Sequence, residues 1–377
     1  MLQRSRMLTW SVLHRMRLTM KMTQHSCISS TSKLITEMYG GHIPVMVDTV
    51  VDVLDPKDSN IYVDMTFGAG GHSKAILQRA PEARIVCLDQ DPKAHESALA
   101  LSKIYNPGQI MPCIGTFSSL PKILADLNIE AESVDGFLFD VGASSMQFDT
   151  PERGFSLSKD GSLDMRMDQG RENTVSAMDV VNNLEERDLT EILRKYGDEK
   201  KAKQIARALV EWRYMFGKIR KTKQLVDIIE SVFGEQYHKD KLNRRASVAT
   251  RSFQALRIFV NNELNELHNG LVAAHHFLKP EGKCLALTFH SLEDRIVKRH
   301  FHGIDIDEKL NMSLRDKSRL SDKFRKFNDA YDVDSLNIML NDKKWSPISK
   351  KIMHPNEEEC KENPRARSAK LRAARKL

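Results

Sequence analysis

The stretch Asp64-Met-Thr-Phe-Gly68-Ala-Gly70-Gly71-His72 decides how this chain is read. Glycines at 68, 70 and 71 let a backbone turn tightly with no Cβ in the way, and a helix starting there offers unpaired N–H groups to a ligand. An apolar run, Ile61-Tyr-Val-Asp64, precedes the glycines and a helical pattern from His72 to Arg79 follows, so the order is strand, tight loop, helix. A dinucleotide fingerprint would place Gly or Ala where Ser73 stands, and the first strand ends on Asp64, whose charge repels a pyrophosphate. The same carboxylate suits the ammonium and sulfonium of S-adenosylmethionine. Asp89 ends the next apolar run, Ala83 to Leu88, 19 residues beyond Gly70, and is placed to accept hydrogen bonds from ribose hydroxyls.

Outward from this loop the alternation continues. Helices are expected over Val45 to Leu54 and Pro92 to Ile104, and strands near Ile110 to Cys113 and over Val134 to Phe139, the last ending at Asp140. Strands alternating with helices imply a parallel, doubly wound sheet. Asp140 opens the segment Asp140-Val-Gly-Ala-Ser-Ser-Met-Gln147, which would lie over the carboxyl edge of that sheet, either as an Asx turn or as the loop that holds an acceptor beside a methyl donor. After Gly154 the pattern becomes helical: Glu185 to Tyr196, Glu199 to Phe216, Gln224 to Phe233 and Ser247 to His268. The sheet then resumes with the turn Lys279-Pro-Glu-Gly282 and a strand over Lys283 to Phe289.

This organisation gives a presequence over 1–38, a Rossmann-like α/β domain over 39–153 and 256–302, an all-helical insertion over 154–255, and a polar extension with a basic tail over 303–377. The 377 residues are 41% hydrophobic and 29% charged, ordinary for a globular chain, and no apolar run approaches the roughly 20 residues that cross a bilayer. The first 36 residues hold Arg4, Arg6, Arg15, Arg17, Lys21 and Lys33 and no acid, the bias of a mitochondrial transit peptide or of a disordered basic tail. Five cysteines stand singly, without metal-site or disulfide spacing, and no metal is expected. The net charge of +7 favours a polyanionic partner. Basic residues gather in the insertion (Lys200, Lys201, Lys203, Arg207, Arg213, Lys218, Arg220, Lys221, Lys223), at Arg244, Arg245 and Arg251, and again between Arg365 and Lys376. They read as a solvated helix face or as contacts to RNA phosphates. In His290-Ser-Leu-Glu-Asp-Arg295, Ser291 and Asp294 read as a capping box and not as part of a catalytic triad.

Several motifs together resemble the RsmH/MraW family: Thr66-Phe-Gly-Ala-Gly-Gly-His-Ser73, Glu152-Arg-Gly-Phe-Ser156, Leu163-Asp-Met-Arg-Met167, Thr250-Arg-Ser-Phe-Gln-Ala-Leu-Arg257 and Phe289-His-Ser-Leu-Glu-Asp-Arg295. The likeness spans His42 to Arg299 and the tail from Asn363 to Arg372. It implies a class I S-adenosylmethionine-dependent methyltransferase acting on the N4 amine of a cytidine in small-subunit ribosomal RNA, in the mitochondrial matrix given the leader. It further implies cofactor contacts from Gly70, Gly71 and His72, with Asp89 on the ribose, Phe117 flanking the adenine, and Asp140 and Gln147 completing the pocket. Met65 and Met146 depart from the family's usual small residue and proline. Asp140 is the expected catalytic group, accepting an N4 hydrogen. Two rivals remain: a nicotinamide-dependent oxidoreductase, disfavoured by Asp64 and Ser73, and a ribosome-assembly factor that keeps the fold and the RNA grip with little catalysis.

Overall fold

The computed structural model describes residues 44–171, 174–234, 248–304, 344–349 and 351–377. The presequence, Arg244, Arg245 and most of the polar extension lie outside them. Helix α1 (Val47–Leu54) leads into β1 (Ile61–Asp64), α2 (Gly71–Arg79), β2 (Arg84–Asp89), α3 (Pro92–Ser102), β3 (Ile110–Ile114), α4 (Leu120–Asp126) and β4 (Val134–Asp140). Strands β1 to β4 pair in parallel, and β5 (Leu278–Thr288) joins β4 in parallel, with Leu287 opposite Asp140.

The side-chain alternation of the strands feeds two separate cores. Val63, Met65, Phe137, Phe139, Cys284 and Ala286 face one layer of helices, while Tyr62, Leu138, Leu285 and Leu287 face the other. A sheet covered on both faces needs apolar residues on both, which is why Ile61 to Val63, Ile85 to Leu88 and Phe137 to Phe139 are continuous apolar runs. Met65 is fully buried in the first core, so its departure from the family pattern changes packing only.

The far edge of the sheet differs from the expectation. Lys370–Lys376 is not a tail but β7, antiparallel to β5 and paired on its other side with β6 (Trp345–Pro347). The complete order is β3-β2-β1-β4-β5-β7-β6. The sheet is therefore completed by the C-terminus and not by residue 302. The basic residues of this segment have acidic partners within the fold. Arg372 forks onto Asp294 at 2.7 and 3.2 Å, Arg375 meets Glu281 at 2.9 Å, Lys376 meets Glu132 at 2.7 Å and Arg365 reaches Asp149 at 3.0 Å.

Between β4 and β5 the insertion forms a third core drawn wholly from residues 155–260. Its main helices are Glu186–Gly197, Ala202–Phe216, Thr222–Phe233 and Thr250–Val260. The single helix expected to run on to His268 breaks at Asn261 and Asn262, and Glu263–Phe277 begins afresh. Asn262 takes the left-handed conformation (φ 49°) that asparagine tolerates, while the Asn261 side chain donates to Met165 O and Arg257 O and accepts from Met167 N. The break thus ties the insertion's first loop to its last helix.

Candidate active site

Strand order β2-β1-β4 brings the three strand-end carboxylates, Asp89, Asp64 and Asp140, side by side at the carboxyl edge of the sheet. Their surroundings differ. Asp64 is buried, and its two oxygens accept from Ser73 Oγ at 2.7 Å and Thr66 N at 3.1 Å. It fastens the start of α2 to the end of β1 and has no open face toward a ligand, contrary to the expectation that it meets the cofactor's cationic groups. Asp89 accepts from Gly68 N at 2.8 Å and Asp91 N at 2.9 Å. Each carboxylate oxygen has a second lone pair, so Asp89 fixes the loop and still can accept from a hydroxyl. Burial is the main cause that pushes its carboxyl up to about 6.

Asp140 is the exception. Its backbone N–H donates to Thr66 Oγ1 at 2.7 Å and its Oδ2 lies 3.8 Å from His72 Nδ1, but its buried Oδ1 has no hydrogen-bond partner. A buried acceptor left unpaired costs about 1 to 3 kcal/mol, which marks the place where a ligand group belongs. Burial pushes this carboxyl up to about 6, opposed by His72 and reinforced by Asp64 and Glu293.

The glycines act differently from one another. A Cβ on Gly70 would lie 2.5 Å from the Phe67 ring, and one on Gly71 would lie 2.2 Å from Pro44. Both glycines let the loop close against its own chain. At Gly68 (φ 53°) a Cβ would meet only Thr66 O, at 4.0 Å, so this glycine answers to its left-handed backbone and not to crowding. Gly70 caps α2 without a side-chain bond, so the helix's first-turn N–H groups are not claimed by a cap. His72 sits in that turn, buried, with Nε2 3.0 Å from Val45 O.

Phe117 lies just beyond the end of β3, edge-on to Phe139 with ring centroids 5.6 Å apart. Gln147 was expected to line the pocket, but its amide is engaged elsewhere. Its Oε1 accepts from Ser144 N at 3.0 Å and its Nε2 donates to Asp91 Oδ2 at 2.9 Å. Asp91 is a residue that sequence reasoning missed. It caps α3 and also accepts from Arg153 Nη1 at 2.7 Å and Gln169 Nε2 at 3.0 Å, so one buried carboxylate binds the root of the insertion to the end of β2. Its signal was the Asp91-Pro92 pair, an N-cap before a proline at the first helical position.

The last motif, His290 to Arg295, begins helix α12 (Ser291–Phe301). The cap is His290 and not Ser291. Its Nδ1 accepts from Glu293 N at 3.4 Å, while Glu293 Oε2 accepts from Phe289 N at 2.8 Å and His290 N at 3.3 Å. Asp294, expected in the cap, instead holds Arg372 of β7. Ligand atoms of Glu263, His290 and Glu293 all lie within 4.8 Å of one another. Arg257 already supplies a cation there, forked onto Glu263 at 2.8 and 2.9 Å and standing 3.8 Å from Glu293 Oε1.

A parallel sheet closed by an antiparallel seventh strand between the fifth and sixth, with acids at the ends of β1, β2 and β4 and an open acceptor on the last, defines a Rossmann-like class I S-adenosylmethionine-dependent methyltransferase. The residues present fit that cofactor, with Asp89 retaining acceptor capacity, α2 presenting uncapped N–H groups and Asp140 Oδ1 unpaired. Residues 40–377 match the MraW methylase family, and the chain belongs to it. The chain is 48% identical over 340 residues to the human 12S rRNA N(4)-cytidine methyltransferase METTL15, covering 89% of this chain and 83% of that one. It is 40% identical over 331 residues to ribosomal RNA small subunit methyltransferase H of Anaplasma phagocytophilum, covering 88% and 97%. Against a much longer Culex quinquefasciatus protein named as a receptor-type tyrosine-protein phosphatase, identity is 48% over 333 residues, and the chain spans 22% of its length.

Proposed function

We propose that this protein methylates the N4 amine of a cytidine in mitochondrial small-subunit (12S) ribosomal RNA, in the matrix, as the small subunit assembles. The observation that carries the reading is the unpaired, buried Asp140 Oδ1 at the end of β4. S-adenosylmethionine, when bound, supplies an electrophilic methyl group. The cytosine amine is a poor nucleophile because its lone pair is delocalised into the ring. Asp140 accepts one N4 hydrogen, which orients the amine and localises that lone pair, and it takes up the proton the amine must shed. With its pKa near 6, Asp140 is ionised at neutral pH yet more basic than a surface carboxylate. Asp89 and the first turn of α2 hold the cofactor, and the core around Phe117 and Phe139 excludes water. The relatives' names and the acid-free leader support the mitochondrial assignment.

The helical insertion supports the RNA assignment, with a narrower footprint than its basic residues imply. Lys201 Nζ donates to Val232 O and sits 4.4 Å over the Phe233 ring, Arg213 donates to Val181 O, Arg207 pairs with Glu211 and Lys221 with Asp160. Each of these side chains already has a partner within the insertion. Beside them Tyr214, Met215 and Phe216 are 81%, 73% and 66% exposed, next to the exposed Lys218 and Arg220. Exposed aromatics interleaved with cations suit stacking on unpaired bases. Changing Lys218 and Arg220 together to Glu is expected to weaken RNA binding and to lower the slope of log affinity against log salt by about 2, with cofactor affinity unchanged. Filter binding across a salt series reads both. Incubation with labelled S-adenosylmethionine and small-subunit rRNA, followed by nucleoside analysis, tests the reaction itself. N4-methylcytidine is the expected product; label in any other nucleoside, or none, overturns the reading.

A further inference from the structure

Asp140 Oδ1 is not the only buried polar atom without a hydrogen bond at this edge. His290 Nε2 and Glu293 Oε1 are also unpartnered. They come from the neighbouring strand: Leu287 of β5 lies opposite Asp140 of β4, and His290 follows three residues later. Gly142 stands on the same side, where a Cβ would lie 3.9 Å from Glu293 Oε1 and 3.7 Å from Arg257 Nη2.

We propose that His290 Nε2 and Glu293 Oε1 form a donor–acceptor pair that reads the N3–N4 edge of the target cytosine beside Asp140. The proposal rests on the cytidine-N4 reading above and adds the residues that choose the base. The local hydrogen bonds set the two polarities. His290 Nδ1 accepts from Glu293 N, so a neutral ring carries its proton on Nε2, which becomes a donor. Glu293 Oε2 is held by the N–H groups of Phe289 and His290, which fixes the carboxylate and leaves Oε1 as an acceptor. The two atoms lie 2.7 Å apart as an ion-pair contact whose angles fall outside hydrogen-bond geometry, so each can still turn its proton or lone pair toward a ligand. Arg257 steadies the carboxylate from 3.8 Å, and despite burial the contacts from His290 and Arg257 hold Glu293 below the usual carboxylate range.

Cytosine presents an N4–H donor next to an N3 acceptor, the complement of this pair. Uracil presents O4 and N3–H, the reverse order. With Glu293 accepting one N4 hydrogen and Asp140 the other, both hydrogens are held and one face of the nitrogen is left open to the methyl donor. The rival occupant, a divalent cation on Glu263, His290 and Glu293, is disfavoured because Arg257 already places a cation against both carboxylates.

The test uses the full chain with S-adenosylhomocysteine and two rRNA fragments that differ only by C or U at the methylated position. The wild type is expected to bind the C fragment about tenfold or more tightly than the U fragment. In Glu293→Gln, the Oε2 site must remain an acceptor for two backbone N–H groups, so the amide NH2 falls at the Oε1 site and turns acceptor into donor. Binding of the C fragment should fall at least about tenfold and the C/U ratio should collapse, with S-adenosylhomocysteine affinity within about twofold. His290→Asn keeps a good helix cap, removes the Nε2 donor, and should also narrow the ratio. An unchanged C/U ratio in both variants, while the wild type still forms N4-methylcytidine, overturns the base-reading pair alone. Absence of N4-methylcytidine from the wild-type reaction overturns the functional reading and this proposal with it. Activity lost to a chelator and restored by zinc or magnesium assigns the cluster to a metal and overturns the proposal.

Discussion

Asp64 and Asp140 end adjacent strands, two residue positions that look alike in the sequence, and the fold gives them opposite conditions. Asp64 is surrounded by donors from its own loop and is a structural clasp. Asp140 is less enclosed, its side chain 26% exposed, yet it keeps a buried oxygen without a donor. Enclosure alone therefore does not mark a catalytic carboxylate. The mark is an unsatisfied atom maintained at a cost in stability, because only binding or chemistry can offset it.

The sharpest break of this comparison is in rate. Asp140→Asn removes the proton acceptor and should lower single-turnover methyl transfer by about 10²- to 10⁴-fold while the protein stays folded. A rate within about threefold of wild type would make Asp140 a clasp like its neighbour. Next comes stability. Asp64→Ala removes the acceptor of Ser73 Oγ and Thr66 N and should cost about 1 to 3 kcal/mol by urea denaturation, whereas Asp140→Ala should cost less than about 1 kcal/mol because no hydrogen bond to its side chain is lost. Asp89→Ala should lose about 1 to 3 kcal/mol of cofactor affinity by calorimetry. Unchanged affinity there would remove Asp89 from the ribose.

The smallest effect is in pH. Asp140 has a folded pKa near 6, raised above its ordinary 3.8, so its stability contribution is present in full below about 3.8 and is lost as pH rises through 6. The melting temperature of the cofactor-free wild type should therefore lie below that of Asp140→Asn at pH 7.5, and the gap should close as pH falls to 5. Comparing the two proteins cancels His300, whose burial lowers its pKa to about 4 and which loses stability in the opposite direction as pH falls. A gap that widens on acidification would contradict the environment assigned to Asp140.

Much of the site was legible because it is written locally. A strand, its terminal acid and the glycine turn sit within a dozen residues, and parallel pairing follows from strand–helix alternation. The Lys370–Lys376 strand was missed because six of its seven residues are Lys, Arg or Ala, a composition that reads as a solvated tail. Its burial alternates only against Leu285 and Leu287, and its charges find Glu132, Glu281 and Asp294 far away in the chain. The cap of α12 was misplaced by one residue for the same reason, since histidine is a weak sequence signal for a cap and Asp294 is drawn off by Arg372.

The sequence by itself determined the β1–α2 turn, the succession of strands that puts acids at the ends of β1, β2 and β4, and the separate helical insertion, because turns and periodicities depend on neighbours along the chain. Only the tertiary structure decided which of those acids is satisfied, which basic residues are free of internal partners, and that His290 and Glu293 stand beside Asp140. Hydrogen-bond satisfaction depends on donors brought from distant segments, and the residue types alone do not specify it.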